Sequence, residues 1–184
     1  MILDNSQKKK YFAAVILYTL FIFIFTIFAR DISNAFRKAG FLTITIYSGF
    51  AISTVFIILY IKKNPHFFNV RSAAGLLFLT FLLASLLKTT ETIEEKFHFL
   101  EFGILALIVR KSASWNFPVK LQYTTAIIVT SLIGVLDELF QLILPSRFFD
   151  LRDIALNMIS GIIAILGFEI IHNRLKIRIF KKRD

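Results

Sequence analysis

Asp137 and Glu138 are adjacent acids in an otherwise apolar stretch, with residues 128–133 before them and 139–144 after, interrupted only by Gln141. A carboxylate at the centre of a bilayer costs roughly 2.5–3.5 kcal/mol on insertion scales. A chain keeps such a group only when it has partners, so this pair must be answered by other polar residues. Two further stretches supply them. A helix starting near Ile93 carries Glu94, His98 and Glu101 at i, i+4 and i+7, which is one face. In the last apolar block, Asp150, Asp153, Asn157, Ser160 or Gly161, Ala164 and Gly167 form a second stripe. Thr130, Gly134, Asp137, Glu138 and Gln141 form the third, which runs up to Pro145.

The chemistry open to these residues is acid–base work and recognition of a polar group. Glu138 or His98 can serve as general base with Asp137 orienting it, while Arg147 can hold a phosphate or carboxylate. Arg147 is also the expected counter-charge of the two acids, in a bidentate pairing. Glu95, Gln141, Arg147, Asp153 and Asn157 are candidate ligand-binding residues. Histidine with carboxylates is a donor set for a divalent metal, yet no HExxH or comparable spacing is present, so no metal ligand is assigned. No cofactor is assigned either. With no cysteine, thiol nucleophiles, disulfides and thiolate metal sites are excluded.

The elements that must position these residues are apolar helices. Of the 184 residues 57% are hydrophobic, in six long blocks with no amphipathic alternation: 11–29, 41–61, 72–87, 97–109, 121–144 and 154–171. Most approach the ~20 residues that cross a bilayer. The expected fold is all-α: a polytopic transmembrane bundle of about six spans. Breaks are expected at Asn64-Pro65, Asn116-Phe117-Pro118 and Pro145-Ser146. The first block is longer than the 7–15 residues of a signal core, and Phe28-Ala29-Arg30 is no cleavage site, so it reads as a retained span.

The formal net charge of +10 follows from topology and gives no reason to expect a nucleic-acid partner. With both termini cytoplasmic, 15 Lys and Arg fall inside: Lys8 to Lys10, Lys62, Lys63, Arg71, Arg110, Lys111, Lys120 and six from Arg174 to Arg183. Only Arg30, Arg37, Lys38, Lys88, Lys96, Arg147 and Arg152 fall outside, the bias that the positive-inside rule describes. The chain then divides into apolar helices (1–90), a polar unit of three helices (91–172) and a basic cytoplasmic tail (173–184). The first three spans are expected only to pack around the polar unit, whose stripes must face one another in the outer half of the bundle.

Each residue also has a purely structural reading. Asp150 suits the N-cap of the last span, with Asp153 at N3 completing a capping box. Asn157 and Gln141 can be interhelical hydrogen-bonding residues. His98 can be a helix-end histidine bonded to a loop; Glu91 and Glu94 can be solvated. Gly161, Ala164 and Gly167 read as close-packing positions.

Glu95-Lys96-Phe97-His98-Phe99-Leu-Glu101-Phe102-Gly103-Ile-Leu105, followed by Asp137-Glu138-Leu-Phe-Gln141, Pro145-Ser-Arg147, Asp150, Asp153-Ile-Ala-Leu-Asn157 and Gly161, resembles the VanZ-like family of bacterial membrane proteins. The resemblance runs from about residue 95 to 167. It implies a multi-pass protein of the bacterial cytoplasmic membrane and a link to low-level resistance to teicoplanin-type glycopeptides, and it names no reaction. Three functions follow as expectations. An outward-facing polar pocket binds or acts on a cell-envelope component, such as a membrane lipid or glycolipid headgroup. Alternatively, the pocket is the active site of a membrane-embedded hydrolase or transferase working on a lipid-linked headgroup. Or the polar groups specify the packing of a non-catalytic scaffold.

Overall fold

The computed structural model describes residues 5–41, 70–90, 93–145 and 147–171 with isolated positions between 44 and 63, apart from the side chains of residues 36, 37, 71, 89, 93 and 94. Five α-helices account for nearly all of the continuous segments, and among the described residues there is no strand. They are α1 (Asn5–Lys38), α2 (Val70–Thr89), α3 (Ile93–Ala113), α4 (Val119–Gln141) and α5 (Leu151–Ile171). Most of block 41–61, the expected second span, lies outside the described residues, as do Asn64-Pro65, Glu91, the Glu94 side chain, Ser146 and the basic tail.

Three of the helices are long and apolar enough to cross a membrane, namely α1, α4 and α5; within α2, Ser72–Lys88 is a shorter apolar helix. The helix boundaries follow from local chemistry. α1 continues well past residue 29, because nothing between Arg30 and Ala39 breaks a helix. It stops at Gly40, whose φ of 71° is the left-handed conformation that closes a helix C-terminus. Pro118, extended at φ −63° and ψ 155°, opens α4. At the other end α4 stops at Gln141, three residues before its apolar block does. Pro145 has no N–H to donate to the Gln141 carbonyl, so the chain leaves by tighter bonds, Ile143 N to Phe140 O and Leu144 N to Gln141 O.

α3 is the central helix. It packs against α5, α4 and α1, while α2 lies on the outer side of α5. At the centre, Ile22, Phe102, Leu105, Ala106, Val109, Ala126, Ile133 and Ile165 interlock. In lipid such contacts contribute dispersion and fit and little exclusion of water. Small residues let α3 and α5 approach closely, and the Ser160 hydroxyl donates to the Phe99 carbonyl across the contact. A Cβ on Gly161 would lie 3.2 Å from Ala106 Cβ and 3.4 Å from Thr130 Cγ2. Gly161→Val is therefore expected to cost about 1–3 kcal/mol by overpacking, read as a lowered melting temperature in detergent. An unchanged melt would contradict this contact. Gly167 meets only Leu79, at an ordinary 3.9 Å.

The exposed and buried faces are inverted relative to a water-soluble bundle. On α4 the exposed large apolar side chains are Val119, Leu121, Ile128, Leu132, Leu136 and Leu139. Its buried face is Gln122, Ala126, Thr130, Ile133, Gly134, Asp137, Glu138 and Gln141. Apolar residues turned outward and ionisable ones turned inward are what a lipid solvent selects.

Candidate functional site

The site lies where α4 ends and α5 begins. Asp137 and Glu138 are consecutive, about 100° apart around α4, yet both are fully buried because α1 and α3 cover one side and α5 the other. Opposite them, α3 presents His98 and Glu101, one turn apart and both buried. His98 Nδ1 stands 3.5 Å from Glu101 Oε2 and 3.9 Å from Asp137 Oδ2. The three residues named for catalysis are thus brought together: His98, Asp137 and Glu138 offer ligand atoms that all lie within 4.8 Å of one another.

Hydrogen bonds hold both carboxylates. Gln141 Nε2 donates to Asp137 Oδ2 at 3.1 Å and to Glu138 Oε1 at 2.8 Å. The remaining oxygen of Asp137, Oδ1, accepts from Thr26 Oγ1 at 2.9 Å, that hydroxyl having the Ile22 carbonyl as its other acceptor. The remaining oxygen of Glu138, Oε2, accepts the backbone N–H of Asp150 at 3.0 Å, beside the electropositive start of α5.

Several expectations are corrected here. α1 does more than pack: Thr26 is a direct partner of Asp137. Nothing in an apolar block distinguishes such a threonine beforehand. Gln141 bonds to its own helix instead of across helices, since i−3 and i−4 share its face. Asn157 makes no interhelical bond either; among the described residues neither of its amide atoms has a hydrogen-bond partner. Its neighbour across the interface is Gly134, which has no side chain to offer. Asp150 is the N-cap, its Oδ1 accepting from Arg152 N at 2.8 Å. The reciprocal half of the capping box, however, is supplied by Glu138 and not by Asp153.

Arg147, half-buried, forms no ion pair within 4 Å of either acid among the described residues, so the bidentate pairing is not made. Its Nη2 instead donates to the Thr26 carbonyl at 3.5 Å, and its charge reaches Asp137 through space. Glu95 is engaged with Arg152 Nη2 at 3.2 Å, a bond between α3 and α5 at the rim. Asp153, half-buried, sits in the field of Glu95, Asp150 and Arg152 and acts in turn on Glu138.

A second buried charge pair lies at the opposite end of the bundle. Arg110 on α3 is ion-paired with Glu169 on α5, and both are buried. The Arg110 guanidinium lies 5.3 Å from the Tyr123 ring centre and 5.0 Å from that of Phe168. The signal that could have found it is Glu169 itself, a lone acid in block 154–171, the same kind of oddity as Asp137. This end also carries Tyr11 stacked on Trp115 and Lys111 over both rings.

A family model described as VanZ/LLP1 matches residues 12–172, taking in α1 as well as the polar unit. No curated protein and no solved structure gives a match.

Proposed function

We propose, from the premise that this chain belongs to the VanZ/LLP1 family and is a membrane protein of that type, that it binds the polar headgroup of a cell-envelope lipid or glycolipid at the end of the bundle near Arg147. The observation that carries this reading is the gradient of exposure at that end. Asp137 and Glu138 are fully buried, Gln141 is 3% exposed, and Glu95 is 8% exposed. Arg147 and Arg152 are half-buried, and Asp150 and Phe148 are exposed. Cations at the rim suit a phosphate, carboxylates and an amide beneath suit sugar hydroxyls, and exposed Phe148 and Leu151 add apolar surface beside them.

The site end is opposite the end carrying Lys111 and the start of α1, where the N-terminal lysines stand. By the positive-inside rule this supports a site on the extracytoplasmic face of the bacterial cytoplasmic membrane. Because the chain has no cysteine, Asn34→Cys, Phe148→Cys and Asn116→Cys can each be probed alone. An impermeant thiol reagent added to intact cells is expected to label the first two and spare the third; the reverse pattern refutes the outward-facing site.

The binding reading is tested by native mass spectrometry of protein purified from bacterial membranes in mild detergent. A retained phospholipid or lipid-linked sugar is expected on the wild type and lost from Arg147→Met; a wild type that retains none defeats the proposal. Altered teicoplanin susceptibility would follow from occupancy of such an envelope lipid. A hydrolase or transferase reading has its own support in His98 Nδ1 lying 3.9 Å from Asp137 Oδ2, an acid–base arrangement. It requires turnover of extracted lipid by the purified protein, whereas binding alone does not.

A further inference from the structure

We propose that His98, Asp137 and Glu138 bind one divalent first-row transition-metal ion, Mn2+ or Zn2+ being the ions that suit these donors. The inference goes beyond the headgroup reading and does not depend on it.

The first support is donor geometry. One ligand atom from each residue lies within 4.8 Å of the other two, from two different helices and with all three side chains buried. Ligand atoms roughly 2.0–2.2 Å from a common ion are about 3–4.4 Å apart, so small side-chain adjustments suffice. An imidazole with two carboxylates is a mixed donor set that favours a transition ion over Mg2+ or Ca2+.

The second is charge. Glu101, Asp137 and Glu138 are three buried acids, and His98 is the one basic side chain within ion-pair distance of them among the described residues. Buried charges are stable when paired or when coordinating a metal. Arg147 acts on Asp137 only through space, so a divalent cation would supply the positive charge that lets these carboxyls ionise in a buried site.

The third is the outer layer. Thr26 holds Asp137 Oδ1, the Asp150 N–H holds Glu138 Oε2, and Gln141 spans the two carboxylates. Such partners fix the aim of ligands before an ion arrives. Glu101 Oε2 lies 3.5 Å from His98 Nδ1, the same ring nitrogen that faces Asp137 Oδ2 at 3.9 Å, so it borders the site as a further carboxyl group.

An independent observation points the same way. Asn157 is fully buried, and among the described residues neither its Oδ1 nor its Nδ2 has a protein partner. Its Nδ2 lies 3.4 Å from the Cβ position of Gly134, which is one turn of α4 before Glu138. A bare buried amide is costly; the water ligands of a bound ion would supply its partner.

The test uses the full chain, purified in detergent, stripped with chelator, dialysed against Mn2+ or Zn2+ and assayed for metal content, with no lipid added. About one ion per chain is expected, together with a higher melting temperature in its presence and loss of the free Mn2+ resonance on titration. His98→Ala and Asp137→Asn should abolish uptake. Should either fail to fold, Thr26→Val, which leaves every ligand in place, is expected to weaken affinity about 10–100-fold. A folded wild type that takes up no ion overturns the proposal, as does uptake unchanged by all three substitutions. Failure of lipid retention would leave this result untouched.

Discussion

Arg110→Met is expected to lower the stability of the bundle by about 3–5 kcal/mol, the usual cost of stranding one member of a buried ion pair. Arg110 and Glu169 are 5% and 1% exposed, and no other protein group within ion-pair distance balances Glu169 among the described residues. Removing the guanidinium leaves a carboxylate buried between α3 and α5, out of reach of bulk water. The pair itself contributes far less than its disruption costs, because both ions were desolvated to form it. The double variant Arg110→Met, Glu169→Met should therefore recover most of the loss. Thermal melting in detergent and the yield of folded protein measure both effects. A single variant as stable as the wild type would show that the pair is not what holds these helices in register.

Glu138→Gln should have the opposite profile, with normal folding and lost function. The replacement keeps an oxygen for the Asp150 N–H, and Gln141 can turn its amide to meet the new NH2 group at the expense of its bond to Asp137 Oδ2, while Thr26 still holds Oδ1. What disappears is one negative charge. A hydrogen bond to a charged group contributes about 1.5–3 kcal/mol, so binding of a headgroup at this carboxylate should weaken roughly tenfold to a hundredfold. Asp150→Asn is the matched control. It changes a charge one bond away from Glu138 but keeps the cap, since Asn serves an N-cap as well as Asp. If the polar cluster were only a scaffold, Glu138→Gln would be silent and only variants that reduce folded protein would alter the phenotype. Measuring folded yield and lipid retention together separates the two accounts, and a well-folded Glu138→Gln variant with full retention would remove Glu138 from the binding machinery.

The buried polar residues were legible in advance because lipid makes them conspicuous. An acid in an apolar block is expensive wherever the block lies, so Asp137 and Glu138 stand out from spacing alone, and the periodicity of α3 and α5 puts His98 and Asp153 on inward faces. Proline marked helix ends for a similarly local reason, the missing N–H at Pro145 and Pro118. These are properties of one residue and its chain neighbours.

Pairing is not such a property, and there the tertiary structure decided. Thr26 is separated from Asp137 by 111 residues, and a threonine in an apolar helix looks the same whether it meets a carboxylate or a methyl group. Arg147 carries the right charge for the acids, yet the loop places its guanidinium at the Thr26 carbonyl. Glu138 displaces Asp153 as the partner of the α5 cap because α4 ends beside that cap. Sequence by itself determined that this chain is helical, apolar outside and acidic within, since those follow from the cost of each side chain in lipid. Which acid meets which donor depends on how α1, α3, α4 and α5 cross, and that is set by packing between distant segments, which no local pattern encodes.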